Sequence, residues 1–420
     1  MQLMILQGLA LSFVSTAATS PSSPRALFKV FVYHEEALQS SGYANWENHG
    51  CGVFRNSTQA AELITFIRDP TNRVGMLSLD VQPLYKKSVQ STYFPQYDAI
   101  VAACTTAGID IELMESNAVP GDSCKINCPS VCNATPNSAN DSCTPSYMDS
   151  FHSMAYTLLN RYKNASMGVS YDIEQSDPAS VPPSRAPVWQ ALWNRIANFD
   201  VLAKASRAGS GAGTGIGAYT GYSFIRPAVW DFSSGGNDAM MRASRALDDQ
   251  DFFSLLKTDF KQVELSGPNG IVAQLQFCKA TKKAREEGEE GEEEEEEKDA
   301  VPTATAAGCK VVIGFETSAE DDSCTEYKTS KTSFVWGGGL PDGTRLSQWI
   351  EATLEPILVS LGIDPVADLA TPPYFIEHHA SFMSYVANAN IPGRFPAANC
   401  TRATCTTCCP KQKHTSLCPK

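Results

Sequence analysis

The chain has 420 residues, of which 43% are hydrophobic, so it is long enough and apolar enough to bury a large core. Its net charge is -13, and ten of its glutamates stand between residues 286 and 299, so the rest of the chain is only mildly acidic. No basic patch interleaved with aromatic residues occurs, which argues against a nucleic-acid partner.

Residues 1–18 are predicted to be a secretory signal peptide. An apolar run at residues 3–14 is followed by four small residues, although the basic segment that usually comes first is missing. A signal anchor is the alternative interpretation. No later stretch contains the roughly 20 apolar residues that span a membrane. We therefore expect a secreted protein with no membrane attachment after cleavage.

Apolar runs of strand length alternate with segments of helical period, which is typical of a parallel sheet. The predicted strands cover residues 28–35, 75–84, 109–115, 168–175, 216–224, 262–266, 310–317 and 374–381. The predicted helices cover residues 58–68, 95–108, 147–162, 188–206, 251–256, 269–285 and 344–361. Eight strands alternating with helices predict an α/β fold, a (β/α)8 TIM barrel over residues 26–395.

A doubly wound open sheet is the alternative fold. That fold usually carries a glycine-rich phosphate turn after a strand. The glycine cluster at residues 209–215 precedes a predicted strand and lacks a Lys-Ser/Thr pair, so it does not indicate a nucleotide site. No cofactor is expected.

The fourteen cysteines are concentrated in a loop at residues 116–145 and in a tail at residues 396–420. In an oxidising compartment, such density indicates disulfides, and the spacing Cys405-x-x-Cys408 leaves zinc as the alternative. Sequons for N-glycosylation agree with secretion and begin at Asn56, Asn133, Asn140, Asn164 and Asn399. The acidic insertion at residues 286–305 is expected to be disordered, with calcium buffering as an alternative role.

Two predicted strands end in acid. In residues 168–175 alternation places Asp172 and Glu174 on the same face, and in residues 310–317 it places Glu316 on the face opposite the large apolar side chains. In a barrel, catalytic groups lie at the C-terminal ends of the strands. Cleavage of a glycosidic bond needs two carboxyl groups flanking that bond. Acids paired in salt bridges at the rim are the structural alternative.

The glutamates that end the fourth and seventh strands resemble those of the large clan of retaining glycoside hydrolases built on this barrel. The resemblance implies that Glu174 is the acid/base and Glu316 the nucleophile. Ile173 stands where that clan usually has Asn before the glutamate. The same stretch is similar to the family 18 chitinase motif Asp-Gly-x-Asp-x-Asp-x-Glu, with Met167 and Ser170 in place of two aspartates. Asp172 is expected to raise the pKa of Glu174.

Candidate substrate-binding residues are polar or aromatic and stand near predicted strand ends. They are Asp80, Gln82, Tyr219, Tyr222, Trp336, His378 and His379. Polar groups would hold sugar hydroxyls, and aromatic rings would stack on sugar C–H faces. For each aromatic side chain, core or rim packing is the alternative.

The sequence thus predicts a secreted, monomeric glycoside hydrolase without metal, acting on a poly- or oligosaccharide. A non-catalytic barrel that binds carbohydrate or a cell surface is the first alternative. A metal-dependent hydrolase that uses His378 or His379 with Asp80 and Glu377 is the second.

Overall fold

The computed structural model describes the core of the chain and not its long connecting segments. The described residues are 24–33, 52–85, 87–115, 143–171, 186–207, 217–224, 251–256, 272, 275–276, 310–315, 317, 340, 344–377 and 379–388. The predicted signal peptide, the Cys-rich loop, the acidic insertion and the Cys-rich tail lie outside these residues, apart from the last three residues of the loop, which begin a helix.

Eight parallel strands are hydrogen-bonded in chain order and close into a barrel. The strands are β1 (Phe28–Val32), β2 (Val74–Asp80), β3 (Asp110–Glu115), β4 (Met167–Tyr171), β5 (Tyr219–Phe224), β6 (Asp251–Leu256), β7 (Lys310–Phe315) and β8 (Leu369–Ile376). Among the described residues, β5 and β6 share one residue pair, Phe224 and Phe252, which is fewer than any other neighbouring strands share there. The predicted α/β fold with a parallel, TIM-barrel-like sheet is confirmed.

The helices are α1 (Ser57–Arg68), α2 (Lys87–Ala107), α3 (Cys143–Arg161), α4 (Ala186–Arg207), α5 (Leu346–Trp349), α6 (Glu355–Ser360) and α7 (His379–Asn388). Short 3-10 helices cover Pro70–Asn72 and Gln82–Tyr85, and a π-helical turn at Ile350–Leu354 joins α5 to α6. Helix α2 begins eight residues before the predicted start and keeps Pro95 inside it. None of the helices in the described part of the chain is long and apolar enough to cross a membrane.

The prediction for the sixth strand was wrong. Residues 251–256 form β6, where a helix was expected, and residues 262–266 lie outside the described residues. Periodicity cannot separate a strand from a helix over only six residues, four of which are apolar here. The backbone partner decides here, because all six residues of β6 pair with β7.

The predicted bounds of the eighth strand were also wrong. Strand β8 begins five residues earlier than predicted and ends at Ile376, and α7 begins at His379. The first half of β8 was not predicted as strand because it contains Pro372 and Pro373, and proline lacks the N–H that a central strand donates. They stand where the ladder with β7 shifts register, between Leu369 and Tyr374.

The strands present two differently packed faces. Outward side chains such as Val30, Leu77 and Ile111 join the helices in the main hydrophobic core. A smaller apolar cluster fills part of the barrel interior and consists of Phe31, Tyr33, Met114, Val312, Ala370 and Phe375. Cys104, on α2, is fully buried in the main core as a free thiol, and burial raises its pKa to about 12.

Helix α1 depends on Asn56 for its start. The Asn56 side-chain oxygen accepts hydrogen bonds from the backbone N–H groups of Thr58 and Gln59 at 2.9 and 3.3 Å, so Asn56 is an N-cap as well as part of a sequon. Asn56→Ala is expected to lower the free energy of unfolding by about 0.5–2 kcal/mol, measured by urea unfolding of unglycosylated protein. Asn56→Asp removes the sequon but keeps the acceptor. Equal losses in both variants would contradict the capping role.

Candidate active site

The C-terminal rim of the barrel is the candidate site, and Asp80 is its best-defined acid. Asp80 is the last residue of β2 and is fully buried. Its carboxylate accepts a hydrogen bond from the backbone N–H of Gln82 at 2.9 Å, and its carbonyl oxygen accepts one from the Tyr97 hydroxyl. Asp80 and Gln82 are therefore held together at the end of β2.

The three acids expected to do chemistry, Asp172, Glu174 and Glu316, lie outside the described residues. The strands that lead to them are described. Strand β4 ends at Tyr171 and β7 ends at Phe315, and both of these side chains belong to the main core outside the barrel. The two parallel strands therefore deliver the chain to the same rim, just before the acids.

The other candidate residues are dispersed. Tyr219 begins β5 and packs against the main core, on the helix side of the sheet. The backbone of Tyr222, on β5, pairs with Val169 of β4, and its side chain is not among those that the structure describes. His379 is buried at the start of α7 and is not on β8 as expected, because the strand ends before it. His378 and Trp336 lie outside the described residues.

A polar cluster inside the barrel was not predicted from the sequence. Lys29 of β1 and Glu112 of β3 form an ion pair with an N–O distance of 2.5 Å, and both side chains are almost completely buried. Three serines surround the pair and come from β2, β4 and β5: Ser78, Ser170 and Ser223. The interior cluster, as we call these five residues, therefore draws on five neighbouring strands.

Ser223 connects the members of the interior cluster. Its hydroxyl accepts a hydrogen bond from the Lys29 ammonium at 2.8 Å and lies 3.1 Å from both carboxylate oxygens of Glu112. The Ser78 hydroxyl donates to the same carboxylate at 2.9 Å, and Ser170 lies 3.2 Å from Ser223. A buried ion pair needs such partners, because its charges have lost their water.

The interior cluster lies below the rim and is closed off from it. On β1, Phe31 follows Lys29 by two residues on the same face, and on β3 Met114 follows Glu112 in the same way. Both belong to the smaller apolar cluster described with the fold, in which Phe31 packs on Phe375 with ring centroids 4.7 Å apart. The Lys29–Ser223 hydrogen bond is thus part of the packing inside the barrel, and the Ser223 hydroxyl is not an accessible nucleophile.

A metal centre has no support in the described part of the chain. No group of three His, Cys, Asp or Glu side chains there is close enough to hold a metal ion. The metal-dependent alternative used His378 or His379 with Asp80 and Glu377, and His378 lies outside the described residues. The version with His379 can be compared with the structure. His379, Asp80 and Glu377 are all described, and they do not form such a group.

The closed parallel barrel places this chain in the broad structural class of α/β barrels. No family model matches the sequence, and no curated protein matches it either. The catalytic domain of beta-amylase from Paenibacillus polymyxa is similar at 9% identity and a TM-score of 0.37, over 88% of this chain and all of that one. An inactive double mutant of MutB is similar at 10% identity and a TM-score of 0.30, over 80% of this chain and 73% of that one.

Proposed function

We propose that the protein is a secreted glycoside hydrolase that cleaves a poly- or oligosaccharide with two carboxyl groups, Glu174 and Glu316. The observation that carries the proposal is the placement of β4 and β7 in one closed parallel barrel. The acids follow the C-terminal ends of these strands by three residues and by one residue. Barrel enzymes place their reacting groups at this rim.

Side-chain alternation supports an inward direction for Glu316. Phe315 points outward, where its ring contacts Trp349 at 6.3 Å and Tyr374 at 6.0 Å between centroids. The next residue along an extended strand points to the opposite face. Continued alternation would turn Glu316 toward the barrel axis, on the side that a substrate at the rim would occupy.

In the proposed reaction, Glu174 protonates the leaving oxygen and Glu316 attacks the anomeric carbon. Asp172 stands two residues before Glu174, and a nearby like charge raises a carboxyl pKa, as a general acid requires. A retaining pair would stand about 5–5.5 Å apart and an inverting pair about 6.5–9.5 Å apart. Asp80 and Gln82 would hold sugar hydroxyls, with Tyr222, His378 and Trp336 as further proposed contacts. No cofactor or second subunit enters this mechanism.

The test is a screen of the purified full chain on α- and β-linked polysaccharides, with Glu174→Gln and Glu316→Gln beside it. Each substitution is expected to lower kcat by about 10²–10⁴, because one proton transfer or one nucleophile is lost. NMR of the anomeric product shows whether configuration is retained.

Glu62→Gln is the matched control, since Glu62 is exposed on α1 outside the barrel. It should leave activity unchanged. Activity that survives both substitutions at the rim would refute the assignment. No cleavage of any glycan, together with glycan binding, would support the non-catalytic barrel, which the departures at Met167, Ser170 and Ile173 also fit.

A further inference from the structure

Tyr171, the last residue of β4, is held from behind by helix α3. Its side chain is 1% exposed and points away from the barrel axis into the main core. There its hydroxyl oxygen lies 2.9 Å from Nε2 of His152, which is on α3. This hydrogen bond joins the end of a barrel strand to a helical residue that stands nineteen positions earlier in the chain.

Aromatic rings from α3 and α4 fix both partners of this bond. Phe199 of α4 stacks on the His152 ring, with centroids 4.4 Å apart and planes 8° from parallel. Phe151 of α3 meets the Tyr171 ring edge-on, with centroids 5.4 Å apart. Two helices therefore hold the side chain of one strand-end residue.

The surroundings of Tyr171 keep its hydroxyl protonated. Burial raises the pKa of Tyr171 well above its usual value, and the carboxylates of Asp200 and Glu115 raise it further. Asp200 is on α4, where it forms an ion pair with Lys204 at 2.9 Å. Glu115 ends β3, the strand next to β4, and pairs with Tyr171 in register. The phenol therefore remains a neutral hydrogen-bonding group across the ordinary pH range.

We propose that Tyr171 and His152 are positioning residues that fix the C-terminal end of β4, and with it the directions of Asp172 and Glu174. The proposal rests on the proposed function. Asp172 is covalently next to Tyr171, and Glu174 is the third residue after it, so a displacement of this strand end would reach both acids. A misplacement of about 1 Å in a reacting group can cost about 10²-fold in rate, so anchoring this strand end has a direct effect on catalysis.

The test compares Tyr171→Phe with Tyr385→Phe in the full chain. Both substitutions remove one hydroxyl and keep a buried ring. The hydroxyl of Tyr385, on α7, donates to the carbonyl of Thr344, which precedes α5, at 2.7 Å. Hydrogen exchange by mass spectrometry over residues 167–175 is the first readout. Tyr171→Phe is expected to speed exchange there by up to about tenfold, the factor that one hydrogen bond supplies. Tyr385→Phe should leave that segment unchanged.

His152→Leu removes the other partner and should have the same effect on exchange. Where the wild type cleaves a glycan, Tyr171→Phe should lower kcat while KM stays the same, and Tyr385→Phe should change neither. Absence of glycan cleavage in the wild type would refute the proposed function, whereas the exchange measurement decides the positioning role by itself. Unchanged exchange at residues 167–175 in Tyr171→Phe, or equal changes in both tyrosine variants, would overturn the proposal.

Discussion

Replacement of Lys29 by Met is expected to lower the free energy of unfolding by about 3–5 kcal/mol, because it leaves the Glu112 carboxylate charged, buried and without its cation. Ser78 and Ser223 still donate to that carboxylate, but neutral hydroxyls cannot balance its charge inside the barrel. Urea unfolding followed by circular dichroism measures the loss.

Two further variants make the result specific to the buried pair. Replacing both partners, Lys29→Met with Glu112→Leu, should recover most of the loss, because no unpaired charge remains. Asp98→Asn breaks an exposed pair with Arg161, in which both side chains are 44% exposed, and should cost less than about 1 kcal/mol. If Lys29→Met costs no more than Asp98→Asn, the interior cluster does not stabilise the barrel in the way described.

The second large effect is expected at Gly314 of β7. A Cβ atom at this position would lie 2.0 Å from Cε1 of Phe375 and 2.7 Å from two further atoms of the same ring. Phe375 is 1% exposed and packs on Phe31, so its ring has little room to move. Gly314→Ala is therefore expected to cost about 1–3 kcal/mol through overpacking, seen as a lower urea midpoint.

A rescue variant tests the cause of this loss. Phe375→Leu opens a cavity and is destabilising alone, but in the Gly314→Ala background it should recover part of the loss, because the added methyl group then fills that cavity. Independent, additive losses from the two substitutions would show that the clash is relieved elsewhere. Gly314 stands two residues before Glu316, so Gly314→Ala is also expected to reduce any glycan cleavage.

Much of the fold was predictable because the local patterns agreed with the final packing. In β2, Leu77 and Leu79 pack outward in the main core, and the polar Ser78 and Asp80 alternate with them, as the period of a strand requires. The failures have physical causes. Strand β6 is recognised by its pairing with β7 and not by its own six residues. The two prolines of β8 stand where the ladder with β7 shifts register and before the residues that pair with β1.

The interior cluster could not be predicted from patterns along the sequence, because its members come from different strands. Lys29 stands between Phe28 and Val30 in an otherwise apolar strand, and this sequence context does not indicate that its ammonium group is buried in an ion pair. Its partner Glu112 is on β3, and the two side chains meet because β1 and β3 both pair with β2 in the sheet. The bond between His152 and Tyr171 likewise depends on how α3 lies against β4, which no period along the chain specifies.

The burial of Cys104 also limits how the other cysteines can pair. Cys104 is a free thiol on α2, enclosed by the main core. Of the fourteen cysteines in the sequence, thirteen therefore remain that could form disulfides. Thirteen is odd, so disulfides within one chain can use at most twelve of them. At least one of the thirteen therefore has no disulfide partner among the other twelve. An even cysteine count therefore does not describe a self-contained set of crosslinks here.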